Sequence, residues 1–166
     1  MLNFKLRQFG RVLPFAFFFT FIGINQISAQ EARGTLGLGG MFGEPTGATF
    51  KYWFNPGNAL DASAGFSLYD DADNATLHLG YLRHQYNDID VQRGLLPYYF
   101  GIGGHARVGE RSNAGIRVPL GLTYLFENDP LEIFTEIVPV MELTPSTVFH
   151  VNYGIGLRYY PGQLRE

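Results

Sequence analysis

Eight ionisable residues fall where an alternating chain would turn them all to one side: Lys51, Asp61, Arg107, Arg117, Glu132, Glu136, Glu142 and Arg158. Four are bases and four are acids, and His78, His105 and His150 share their side. Buried charge is tolerable only when paired and hydrogen-bonded, so the plainest chemistry for such a set is a self-neutralising ionic network. The other chemistry open to these residues is nucleophilic. Ser63 and Ser67 point the same way, and either of them with His78 or His105 and an acid has the residue types of a Ser–His–acid hydrolase. A hydrolase also needs an oxyanion pocket beside its nucleophile. No catalytic residue is assigned.

Two other stretches resemble ligand motifs. GIGGHA (101–106) imitates the G-x-G-x-x-A dinucleotide fingerprint, but a strand pattern continues where a helix must begin. YDDADN (69–74) clusters Asp70, Asp71 and Asp73, yet it lacks the further oxygen ligands and the turn glycine of a calcium loop. It reads as a solvated acidic loop. Neither a cofactor nor a metal is expected.

The first thirty residues stand apart from the elements that position these groups. Lys5, Arg7 and Arg11 precede the apolar run VLPFAFFFTFIGI (12–24), and Ala29 offers a small residue for cleavage. That is the layout of a secretory signal peptide, and a spanning helix would need about 20 apolar residues. Residues 1–29 are read as removed and 30–166 as the domain. Losing three bases takes the net charge from −3 to −6, which argues against a nucleic-acid partner. With no cysteine in the chain, disulfides cannot supply the stability.

From Arg33 onward the pattern is period-two alternation broken by turn residues, which is the signal of strands. Eight segments emerge: 34–42, 46–54, 59–68, 75–86, 97–108, 113–126, 131–143 and 148–160. The breaks include GEP, NPGN, GERS, ENDP and TPST, rich in Gly, Pro, Asn and Asp as tight turns require. Eight such strands suit an all-β, antiparallel, up-and-down barrel, whose closure removes unpaired edges. Short turns also set the register. Glu132 should lie opposite Arg158, Glu142 opposite Val148, and Lys51 opposite Asp61.

The barrel is read as transmembrane because of what each face carries. One face of strands five to eight, including Tyr98, Phe100, Ile102, Ile116, Leu120, Ile133, Val151 and Leu157, holds no charge. A base there would cost about 2–4 kcal/mol at the midplane of a bilayer. Arg83 is the exception, near a strand end where its stem can snorkel. The other face mixes charge with Gly101, Gly103, Gly115, Gly121, Gly154 and Gly156, which make room in a narrow interior. Beyond the leader there is one lysine, Lys51, too few for a soluble exterior. Aromatics gather at the strand ends, with Tyr52, Trp53, Phe54, Tyr86, Tyr98, Tyr99, Phe100, Tyr124, Phe126, Tyr159 and Tyr160 below. Phe42, Phe66, Tyr69 and Phe149 mark the upper ends, and two belts a strand length apart match the interfaces of a membrane barrel.

GEPTG (43–47), KYWF (51–54), LHLGYL (77–82), LPYYFGIGG (96–104), RVPLGLTYLF (117–126) and GIGLRYY (154–160) resemble a family of small outer-membrane β-barrels of spirochaetes and other Gram-negative bacteria, of the OmpA-like size class. The resemblance implies the barrel and an outer-membrane location, and it carries no catalytic residues. One departure is PGQLRE after Tyr160, where many such barrels end on an aromatic residue read by the assembly machinery.

The functional expectation is a non-enzymatic structural barrel, a monomer, with an ionic plug and no conducting pore. Its partners would be membrane lipid, lipopolysaccharide and the barrel-assembly machinery. A lipid A-modifying enzyme is the alternative. One deacylase type of this shape uses His-x-Ser-Asn on a strand, whereas FHVNYG (149–154) offers His150 and Asn152 without the serine. A surface-binding module comes third, because the outer loops are short and the longest connection, NDIDVQRGLL (87–96), falls on the periplasmic side.

Overall fold

The computed structural model describes residues 36–67, 74–86, 88–109 and 112–161. The leader and Asp70, Asp71 and Asp73 lie outside the described residues. Nine strands are found: β1 (Leu36–Gly43), β2 (Thr46–Asn55), β3 (Asn58–Phe66), β4 (Ala75–Gln85), β5 (Tyr98–Val108), β6 (Asn113–Arg117), β7 (Leu120–Leu125), β8 (Leu131–Thr144) and β9 (Val148–Tyr159). Neighbouring strands pair antiparallel, with β6 and β7 each lying between β5 and β8, and β1 pairs with β9 from Leu38↔Tyr159 to Gly43↔Gly154, which closes the ring. Alternating residues with short turns give hairpins, and closure leaves the sheet no open edge.

β6 and β7 occupy one position in the ring, so the barrel has eight staves where the sequence predicts a single strand over 113–126. The split falls at Val118–Pro119, and the cause is local. Pro119 has no amide hydrogen to give, although its carbonyl still accepts from Gly101 at 2.9 Å. Pro139 on β8 repeats the pattern, accepting from Val118 at 2.9 Å and donating nothing. Register runs unbroken across the gap, from Arg117↔Val140 to Leu120↔Ile137.

The hairpin registers follow the alternation: Glu132↔Arg158, Glu142↔Val148 and Lys51↔Asp61 are partners. GIGGHA lies inside the continuous strand β5, so no helix follows it. The two faces differ sharply. The outer wall exposes Phe42, Phe50, Leu79, Ile102, Ile137, Tyr153 and Ile155, with similar residues all round the ring. Among the described residues, sixteen buried side chains are polar or charged and nine are apolar, so the usual order of core and surface is inverted.

Below, "upper" means the end with the β1–β2 and β8–β9 turns, and "lower" the end with the β2–β3 and β7–β8 turns.

Candidate functional site

Three bases and three acids meet across the middle and lower lumen. Lys51 Nζ lies 2.9 Å from Glu132 Oε1, and Arg158 Nη1 lies 2.8 Å from the same oxygen. Arg158 Nη2 reaches Asp61 Oδ2 at 2.7 Å, and Asp61 Oδ1 takes Arg117 Nη1 at 3.1 Å. Arg117 Nη2 then meets Glu136 Oε1 at 3.0 Å. The six form one chain that alternates in sign from Lys51 to Glu136, and all six are buried. Each interior acid faces at least one base, which is the condition for holding charge away from water.

Neutral groups take up several of the remaining valences, while Arg117 Nε is left without a partner. Arg158 donates from Nε and Nη2 to Thr49 Oγ1 at 3.0 and 2.7 Å, and its guanidinium lies 3.8 Å over the Phe134 ring. Tyr99 donates to Glu136 Oε2 at 3.0 Å. Tyr160 donates to Glu132 Oε2 and accepts from Trp53 Nε1 at 3.1 Å. Lys51 Nζ sits 4.3 Å from the Trp53 ring centre.

These contacts correct the sequence reading at several points. Lys51 faces Asp61 in the ladder, yet its ion pair is Glu132 on β8, because in a narrow barrel a long side chain reaches across more easily than sideways. Trp53, Tyr99 and Tyr160 were expected in the lower belt but are buried inside the lumen. Their neighbours Tyr52, Tyr98 and Tyr159 face out, as alternation demands. Glycines open the space these rings fill: a Cβ on Gly121 would meet Tyr99 Cζ at 2.4 Å, and one on Gly37 would meet Tyr160 Cζ at 2.5 Å. Tyr86, just past β4, has its phenol pushed above the ordinary tyrosine value by burial and by the Glu132 charge.

Arg107 and Glu142 do not join the six. Arg107 Nη2 lies 3.6 Å from Glu44 Oε1 near the upper mouth. Glu142 Oε1 accepts from Asn113 Nδ2 at 2.9 Å and stands 3.9 Å from His150 Nδ1. Sequence reasoning missed Glu44, which lies in the GEP turn outside any alternation and accepts from Ser67 Oγ at 2.6 Å. It also missed His84, whose parity with His78 was a readable signal. The His84 ring lies between Trp53 and Tyr99, at 4.3 and 5.2 Å, and neither of its nitrogens has a partner.

The nucleophilic reading gains nothing from the geometry. Ser63 stands opposite His78 in the ladder, but neither His78 nitrogen bonds it. Ser67 is bonded to a carboxylate, without an intervening imidazole to act as base. Among the described residues no three His, Cys, Asp or Glu side chains are gathered around one point for a metal.

No protein-family model matches the chain, and no curated protein does. A solved structure does match in fold. The chain is similar to the N-terminal β-barrel domain of Pseudomonas aeruginosa OprF, with a TM-score of 0.55 and 13% identity over 79% of this chain and 99% of that one. At that identity the likeness is one of architecture: an all-β, up-and-down barrel of the OmpA-like kind.

Proposed function

We propose that this protein is a non-enzymatic structural barrel of an outer membrane, exported behind a cleaved leader and closed to ion flow. The observation that carries the reading is the alternating chain of six buried charges across the lumen, with Trp53, Tyr99 and Tyr160 buried beside it. A channel needs open polar space, and here the six central charges spend most of their valences on one another. The apolar girdle supports the membrane assignment, since soluble monomers rarely expose contiguous apolar patches beyond a few hundred Å². Membrane lipid and lipopolysaccharide would cover that wall, the barrel-assembly machinery would insert it, and the unit would be a monomer.

Planar bilayer recording tests the closed lumen. The expected result is no steady conductance after insertion, and a reproducible open channel would sink the proposal. Mass spectrometry of lipid A from matched cells with and without the protein tests the absence of catalysis. The expected spectra are the same, and gain or loss of one acyl chain would overturn the non-enzymatic reading.

A further inference from the structure

The outer wall carries one charge. Among the described strand residues that alternation turns outward, Arg83 alone is an acid or a base, and it lies near the lower end of β4. Polar side chains stand beside it. Asn58 of β3 is its partner across one ladder, and Phe100 of β5 across the other. Gln85, two residues further down the same face, is the partner of Tyr98. Tyr81, two residues up, donates to Asn58 Oδ1 at 2.7 Å, and Asn58 Nδ2 donates to Asn55 Oδ1 at 2.9 Å. The Asn58 amide is thereby held at the rim next to the guanidinium.

An acid stands at the same rim. The Tyr98 hydroxyl is hydrogen-bonded to Asp88, in the exposed connection between β4 and β5. Further along that connection the Tyr124 hydroxyl donates to the Arg93 carbonyl at 3.1 Å. Two belt tyrosines therefore tie the connection to the rim and hold Asp88 at the level of the belt. Arg83 and Tyr98 are diagonal neighbours across the β4–β5 ladder, about 7–8 Å apart at Cα. The base and the acid thus flank one polar notch in a wall that is otherwise apolar.

We propose that this notch binds one phospholipid whose headgroup carries a phosphate diester and a primary ammonium, the phosphate on Arg83 and the ammonium on Asp88. The inference rests on the membrane reading above and adds which lipid the lower rim selects. A guanidinium meets phosphate oxygens through paired, charge-assisted N–H bonds, and the Asn58 and Gln85 amides offer further donors. The Asp88 carboxylate can accept from the N–H groups of a primary ammonium. A quaternary ammonium has no N–H to give, and a glycerol headgroup brings no cation. The acyl chains run up the wall over Leu79, Leu77 and Ile102, all exposed. Depth agrees with this placement, since a base on the wall costs about 2–4 kcal/mol at the midplane and only about 0–1 near the headgroups.

The test is native mass spectrometry of the protein in detergent with matched lipids, after flotation with liposomes has scored insertion. One phosphatidylethanolamine per chain is expected, retained about fivefold better than phosphatidylcholine or phosphatidylglycerol of the same chain length. Arg83→Gln should weaken retention about tenfold, and Asp88→Asn should erase the preference over phosphatidylglycerol. Inorganic phosphate at millimolar concentration should not displace the lipid, because it lacks the chains. Since a variant can fail to fold, side-chain amide spectra of the unaltered protein in nanodiscs give a second reading. Exchanging phosphatidylcholine for phosphatidylethanolamine should move the Asn58 and Gln85 signals and leave Asn113 and Asn152, inside the lumen, in place. Equal retention of the three lipids, retention that survives Arg83→Gln in folded protein, or displacement by phosphate alone would overturn this site and leave the membrane reading standing. A protein that does not insert would overturn both.

Discussion

The lower and upper halves of the lumen use the same residue classes and settle their charges differently. Below, carboxylates and bases alternate at 2.7–3.1 Å, and the rings of Trp53, Tyr99, Phe134 and Tyr160 pack beside them. Above, the ion pairs lengthen to 3.6 and 3.9 Å, and His78, His105 and His150 stand where the lower half has its run of bases. Burial explains the difference. A charge sealed from water must have its partner at contact, whereas side chains near the mouth retain solvent and tolerate looser geometry. The lower half holds its charges in tight contact, the upper half in looser pairs, and unspent polar atoms occur in both, His84 below and Thr76 above.

That contrast can be broken most directly at Glu132. Glu132→Ala strands Lys51 and Arg158 without their shared carboxylate, so a loss of about 3–5 kcal/mol is expected in urea unfolding followed by Trp53 fluorescence. A loss below about 1 kcal/mol would mean the chain of six is incidental to stability. His84→Phe should go the other way, because it keeps the ring between Trp53 and Tyr99 and removes two unpartnered nitrogens. A gain of about 1 kcal/mol is expected, and a clear loss would show that His84 has a polar role in the lower half. Arg107→Ala tests the upper half. With a 3.6 Å pair at a partly exposed site, its effect should stay within about 1 kcal/mol. A cost matching that of Glu132→Ala would erase the distinction.

Much of the barrel was legible because alternation and short turns act locally. Glu132 opposite Arg158 follows from counting back along a hairpin, whereas the split at Pro119 was not foreseen, although a residue that cannot donate stood in the middle of 113–126. The ion pairs were less legible. Which base meets Glu132 depends on strand tilt and lumen width, and neither is written in one hairpin. Trp53, Tyr99 and Tyr160 were misplaced because their depth along the strands was weighed and their parity was not. His84 was missed through the same neglect, since 78, 80, 82 and 84 share a face.

Tyr160 has a consequence for how the ring is made. Its ring packs on Gly37 of the first strand, its hydroxyl bonds Glu132 of β8, and Trp53 of β2 bonds it from 107 residues away. Contacts so distant along the chain form late, after the nearer hairpins have paid out their loops. Tyr160 thus works as a latch: it engages only when the first and last strands are already side by side with the lumen filled between them. Closing the cylinder and packing its contents become a single event, and a half-zipped barrel has nowhere to put this side chain.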